Sequence, residues 1–237
     1  MKGIPYDWNV VLLGAWNLAI LTPEGVAKRV FELPPGTPVE VQVAIDQLAP
    51  LRVIYGQQMV IPSKDTLLIQ PEISNITSLS IATAAAARVL VSLPETPVRA
   101  AGINFRYKYD TIPASLQNYL GSPLDNALAE TDFSTTARQL KRTMSWKGQS
   151  LNLDITEDQG PSCKIEFNFH NPSTDSSALA EWMKELPAMA STVEKLVSEI
   201  FQIQVEHDNG SQTASFRQHF GGSSLGPLRE GIAGVYI

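Results

Sequence analysis

The stretch VRAAGINFRYKYDTIPASL, residues 98–116, decides the fold because it repeats an arrangement found near the start of the chain. In this stretch a strand rich in aromatic residues leads to Pro113, which opens a helix. Near the start of the chain another apolar strand leads to Thr22-Pro23-Glu24, a helix start with a hydroxyl cap and a proline at the first helical position. Pro113 follows Pro23 by 90 residues, so the pattern predicts two halves of similar build.

The first half is predicted to contain a strand, a helix, an antiparallel meander and a second helix. A long strand is expected over residues 10–21, with Gly14 as a bulge or a point of close approach. After the helix that begins at Thr22, short segments separated by turn residues predict the meander over residues 39–45, 51–55, 58–62 and 66–70. An alanine-rich segment over residues 76–93 has apolar residues at helical spacing and predicts the closing helix.

The second half is predicted to contain the same kinds of element in the same order. A strand over residues 98–109 and a short helix after Pro113 precede three strands over residues 136–146, 149–156 and 164–170. A long helical region over residues 175–205 is interrupted at Pro187 and carries an apolar stripe of Met189, Val193, Leu196, Val197, Ile200 and Phe201. A last strand is expected over residues 212–220, before a glycine-rich tail over residues 221–234.

These elements predict an α+β protein of two tandem units that form one continuous antiparallel sheet with helices packed on one face. The predicted division is residues 1–96 for the first unit, 97–206 for the second, and 207–237 for the C-terminal strand and tail. This architecture resembles the saddle of the TATA-box-binding protein family. The resemblance covers most of the chain as an order of elements and includes no residue motif, so it implies a fold and no function.

Composition and charge favour some classes of protein over others. The 237 residues include 43% hydrophobic ones, which is enough to build a core, and 24 acidic against 18 basic residues, for a net charge of −6. This acidic balance disfavours general nucleic-acid binding. A single cysteine, Cys163, favours a reducing, cytoplasmic location. The apolar stretch over residues 10–21 is shorter than the roughly 20 residues of a membrane-spanning helix, so no membrane span is expected.

The sheet of the first half is predicted to bind a protein partner or a second copy of the chain. Its strands have apolar residues on both sides of the pleat, whereas helices can cover only one side. The predicted interface residues are Val53, Val60, Leu67, Leu68 and Ile69. In the second half, alternating positions form a mixed polar face suited to water: Lys141, Thr143, Asn152, Asp154, Lys164, Glu166 and Asn168.

No motif in the sequence predicts a catalytic residue, a cofactor site or a metal site. The three histidines, His170, His207 and His219, lack helical spacing to one another, and His170 lies too far along its strand from Cys163 to form a dyad with it. The glycine-rich segment 221–226 lacks the ending of a phosphate-binding loop, which favours its interpretation as a tail.

The leading hypothesis is therefore a non-enzymatic binding or assembly protein that uses the sheet surface of its first half. One alternative is a small-molecule-binding protein or enzyme with a pocket between the halves. The other is a nucleic-acid-binding protein with a local basic patch of Arg99, Arg106, Lys108, Arg138, Lys141 and Arg142. The strand over residues 98–109 weighs against that patch, because its aromatic residues share one face and its cations share the other.

Overall fold

The computed structural model describes residues 2–43, 50–157, 160–205 and 234–236, the last three by their backbone alone. The protein is a mixed α+β protein with an open antiparallel sheet; one described pair of strands is parallel. The strands are β1 Lys2–Pro5, β2 Asn9–Gly14, β3 Glu40–Gln42, β4 Arg52–Tyr55, β5 Gln58–Pro62, β6 Thr66–Pro71, β7 Val98–Tyr109, β8 Arg138–Trp146, β9 Gln149–Glu157, β10 Cys163–Asn171, β11 Gln204–Val205 and β12 Gly234–Tyr236.

The helices agree in order with the predicted pattern. They are α1 Pro23–Arg29, α2 Ile76–Ser92, α3 Ala114–Leu120, α4 Pro123–Ala129, α5 Ser176–Trp182 and α6 Leu186–Lys195, with a 3₁₀ turn at Met183–Glu185 and a π turn at Leu196–Ile200. Among the described residues, no helix has both the length and the apolar character that crossing a membrane requires. The predicted strand over residues 212–220 and most of the glycine-rich tail lie outside the described residues.

The chain divides into two compact units. Unit A contains Asn9–Ala101 and Pro172–Lys184, together with β12; unit B contains Met1–Trp8, Gly102–Asn171 and Glu185–His207. The strand β7 contributes its first four residues to unit A and the rest to unit B.

In unit A the strand order is β12, β3, β4, β5, β6, β2 and the start of β7. The predicted meander is confirmed, because β3 to β6 pair in sequence as antiparallel neighbours. Helix α2 lies on the face that carries Val60, since the neighbouring same-face residue Gln58 donates from Nε2 to the Ser78 carbonyl of α2 at 3.1 Å. Alternate strand residues on this face are buried, so it forms the core of the unit.

The predicted long strand over residues 10–21 is wrong beyond Gly14. At that residue a Cβ atom would lie 2.9 Å from the Pro97 carbonyl oxygen, so glycine allows the close approach that the sequence suggested. Beyond it the chain turns, because the Asn17 side chain accepts a hydrogen bond from the Ala19 amide at 3.0 Å and competes with strand pairing.

The predicted helix start at Thr22 is confirmed. Its side chain accepts a hydrogen bond from the Gly25 amide at 3.2 Å, and Pro23 occupies the first turn of α1. The second helix of unit A begins in the same way, because the Asn75 side chain accepts from the Ser78 amide at 2.8 Å. Local capping therefore fixes both helix starts where the sequence predicts them.

In unit B the strand order is β7, β10, β9 and β8, and β1 pairs with both the end of β7 and β11. The aromatic residues Phe105, Tyr107 and Tyr109 of β7 are buried on one face, as the alternation predicts. The helical region packs on that face: Phe201 stacks on Phe167 of β10, with ring centroids 6.3 Å apart.

The predicted apolar stripe of the long helical region is displaced at its end. Met189, Val193, Val197 and Phe201 are buried, but Ile200 is half exposed. The cause is the π turn, in which the Phe201 amide donates to the Leu196 carbonyl five residues earlier at 2.9 Å. This wider turn shifts the register, so that Phe201 takes the inward position and Ile200 turns outward.

Candidate functional site

The face of the unit A sheet opposite α2, which we call the open face, carries a row of apolar side chains, although Ile54, Met59 and Gln70 on the same face are buried. Val11 on β2 is in register with Leu68 on β6, and Leu68 is in register with Ile61 on β5. All three side chains are half-buried. We call these three residues the apolar row; Leu13 on the same face of β2 is also half-buried and extends the apolar surface.

Most of the predicted interface residues lie on the other face. Val53, Val60, Leu67 and Ile69 have 0% exposure, because their alternate positions place them under the helices of unit A. This placement corrects their assignment to an accessible surface. Leu68 alone among the five predicted residues belongs to the open face. Val11 and Ile61 complete the row, and the pairing of β2 with β6 and of β6 with β5 identifies them.

The open face of unit B carries a polar row instead. The Thr143 hydroxyl donates to Asn152 Oδ1 at 2.9 Å, Asn152 Nδ2 donates to Asn168 Oδ1 at 3.0 Å, and Asn168 Nδ2 donates to Asn104 Oδ1 at 2.6 Å. These four residues, which we call the polar row, come from β8, β9, β10 and β7 in spatial order. Because every bond points the same way, the amides polarise one another across the sheet.

Charged residues form a second row beside the polar row. Lys141 Nζ lies 3.1 Å from Asp154 Oδ2, and Arg106 Nε lies 2.9 Å from Glu166 Oε2. Asp154 and Glu166 are cross-strand neighbours in the register of β9 and β10. The mixed polar face that the alternation predicts is therefore confirmed for these strands. Asn104 was missed, although it alternates with Arg106 and Lys108 along β7.

The predicted basic patch is divided among several places. Arg99 belongs to unit A, where it lies 3.8 Å from Asp65. Lys141 alternates along β8 with the open-face residue Thr143, whereas Arg138 and Arg142 occupy the opposite face of that strand. The patch residues with acidic partners are Arg99, Arg106, Arg138 and Lys141. Pairing lowers the positive potential that a phosphate backbone would meet.

A cavity of about 560 Å³ in unit B lies beside Arg138. The Arg138 guanidinium joins two other residues of the cavity wall, with Nε 3.1 Å from Asp125 of α4 and Nη1 2.9 Å from Glu157 of β9. The backbone hydrogen bond from Ser122 and the bond from Arg138 lower the pKa of Asp125, and the carboxylates of Glu157 and Asp125 raise the pKa of Arg138. This trio holds α4 against the sheet by charge-assisted hydrogen bonds.

The remaining reactive groups lie apart from these surfaces. Cys163 is fully buried at the start of β10, and His170 is half-buried near its end. Burial raises the pKa values of Tyr107 and Tyr109, which keeps both phenols neutral near neutral pH. Within residues 2–43, 50–157 and 160–205, no three histidine, cysteine or acidic residues lie together in a way that could hold a metal ion. Comparison of the sequence with protein-family models and with curated proteins finds no match.

Proposed function

We propose that this protein is a non-enzymatic assembly protein that docks against a second copy of itself through the open face of unit A. The observation that carries the proposal is the apolar row, Val11, Leu68 and Ile61, which crosses three paired strands on the face opposite α2. Monomeric proteins rarely leave large continuous apolar patches in water. Burying such a surface contributes about 25 cal/mol per Å², before the entropic cost of association is subtracted.

The arrangement of the row supports a second copy as the occupant. Leu68 lies in the middle, with Val11 on one side and Ile61 on the other. Consider a twofold axis that lies in the plane of the interface, runs parallel to the strands and passes over Leu68. It brings the two Leu68 side chains together and places each Val11 against the partner's Ile61. The row is thus complementary to itself, which is what a twofold interface requires.

The polar row of unit B supports the same choice of surface. Its side chains already satisfy one another's hydrogen bonds, so that face has little to gain from burial against a protein. The buried single cysteine agrees with a cytoplasmic protein, because disulfides are rare in that compartment. We therefore propose a cytoplasmic protein whose interface lies on unit A and not on unit B.

We also propose that the two predicted halves of the chain, residues 1–96 and 97–206, are tandem repeats of one strand-helix-meander-helix arrangement. The support is topological: in unit A the strand before α1, β2, pairs with the last meander strand, β6. In unit B the strand before α3, β7, neighbours the last meander strand, β10. An experimental structure tests the repeat by superposition of β2 to α2 on β7 to α6; mismatched strand orders would exclude it.

Charge substitutions on the two open faces test the proposed function. Leu68→Glu places a charge at the centre of the apolar row and is expected to convert the assembly to a monomer, measured by light scattering after size exclusion. Thr143→Glu makes a comparable change on the open face of unit B and is the matched control. Equal masses for the unmodified protein and Leu68→Glu, with both folded, would exclude this face as the interface.

A further inference from the structure

A basic groove crosses the helices of unit A. It has a volume of about 460 Å³ and lies between α1, α2 and the end of α5. Its basic residues are Lys28, Arg29, Arg88 and Lys184, and its acidic residues are Glu32 and Glu181. The groove therefore carries a formal charge of +2 within a chain whose net charge is −6.

Two of the four cations are already paired. Arg88 donates from NH2 to the Val30 carbonyl at 2.9 Å and lies 3.3 Å from Glu32, so it joins α2 to the end of α1. Lys184 Nζ lies 2.6 Å from Glu181 one turn earlier. These contacts use both acidic residues of the groove, and those of Arg88 hold two of its walls together.

The other two cations, Lys28 and Arg29, have no acidic partner in the part of the chain that the structure describes. They are neighbours in the last turn of α1, and Arg29 is half-buried. Most of the other described arginines and several lysines make ion pairs, as Arg99, Arg106, Arg138, Lys141 and Lys147 do. The uncompensated charge of the groove is therefore concentrated at one wall.

The groove also has an apolar part, which we call its floor. Ala87 and Val91 of α2 and Ala180 of α5 line it, and Val91 is 67% exposed. Small side chains allow another helix to approach closely, and an exposed valine between alanines offers apolar contact. A small anion would need only the cations for binding, whereas the apolar floor favours a peptide ligand that has an apolar face.

We infer that this groove binds an acidic amphipathic helix of a partner protein, with acidic side chains at Lys28 and Arg29 and small apolar ones over Val91. This inference goes beyond the proposed assembly, because it concerns the helical side of unit A and does not involve the open face. Charge complementarity and the apolar floor together select this occupant.

Fluorescence polarisation tests the inference with a labelled peptide of about 15 residues, with alanine and leucine on one face and glutamate on the other. We expect the full-length protein to bind it, and we expect Arg29→Gln and Lys28→Glu each to weaken binding about tenfold. The exposed Lys64 provides the matched control: Lys64→Glu makes the same charge change elsewhere in unit A and is expected to leave binding unchanged. Leu68→Glu is also expected to bind normally, which separates this result from the assembly.

Four results would overturn the inference. The unmodified protein does not bind the peptide; a peptide with lysine in place of glutamate binds equally well; Lys64→Glu causes the same loss as Lys28→Glu; or the double variant Lys28→Glu/Arg29→Gln still binds fully. Thermal melting of each variant shows whether a loss of binding comes from loss of the fold. Val91→Glu changes the groove at an exposed position without removing a cation, and it is expected to weaken binding of the peptide.

Discussion

The open faces of the two units differ in chemistry although both belong to antiparallel sheet. On unit A the cross-strand row is Val11, Leu68 and Ile61; on unit B it is Thr143, Asn152, Asn168 and Asn104. Each sheet has helices on its other side. The difference shows that strand order determines where an open face lies, whereas the residues at alternate strand positions determine whether water or a partner covers it.

The largest effect on the free energy of unfolding is expected for a charge on the helix-covered face of unit A, and the adjacent residues Leu67 and Leu68 allow the two faces to be compared. Leu67→Glu places a charge at a position with 0% exposure and is expected to lower the free energy of unfolding by about 4 kcal/mol or more. Leu68→Glu places the same charge on the open face and is expected to cost the monomer about 1 kcal/mol. Urea unfolding monitored by circular dichroism measures both, and equal losses would mean that the two faces are covered alike.

Leu67 and Leu68 also show what the sequence can and cannot predict. Apolar residues on both sides of β6 predict a sheet with two apolar faces, but they do not say which face the helices cover. That choice depends on contacts distant in sequence, such as Gln58 with Ser78. Local signals did better: the cap at Thr22 and the strand over residues 98–109 are confirmed at their predicted positions.

The second comparison concerns the polar row of unit B. Asn168→Ala removes two hydrogen bonds in the middle of the row, to Asn152 and to Asn104, and is expected to lower the free energy of unfolding by about 2 kcal/mol. Thr143→Ala removes one exposed bond at the end of the row and is the matched control, with an expected loss of about 0.5 kcal/mol. If Asn168→Ala is as stable as the control, the row is a solvated surface without a structural role.

The smallest effect is expected at the charged trio of unit B, and it depends on pH. The lowered pKa of Asp125 means that the folded state favours its carboxylate. Its contribution is therefore present above the unfolded-state pKa of about 4 and is lost as the pH falls through the lower folded-state value. Hydrogen exchange, corrected for the pH dependence of the intrinsic exchange rate, is expected to show lower protection of the α4 amides below about pH 4, and Asp125→Asn should remove that acid-dependent step.

The predicted basic patch illustrates why the candidate site was harder to predict than the fold. The six basic residues are easily seen in the sequence, but their use depends on partners brought together by strand register and helix packing. Arg138, for example, joins Asp125 and Glu157, which lie on two different elements. The groove at Lys28 and Arg29 was missed for the related reason that its walls come from three helices distant in sequence.

The central claim is that the open face of unit A is covered by a second copy of the chain. Sedimentation velocity of the unmodified protein over a concentration series centred on about 10 µM tests it most directly. We predict that the mass rises with concentration from 25.9 kDa towards twice that value, and that raising the salt concentration does not reverse the rise, because the contact is apolar. A mass of 25.9 kDa at every concentration would contradict the claim.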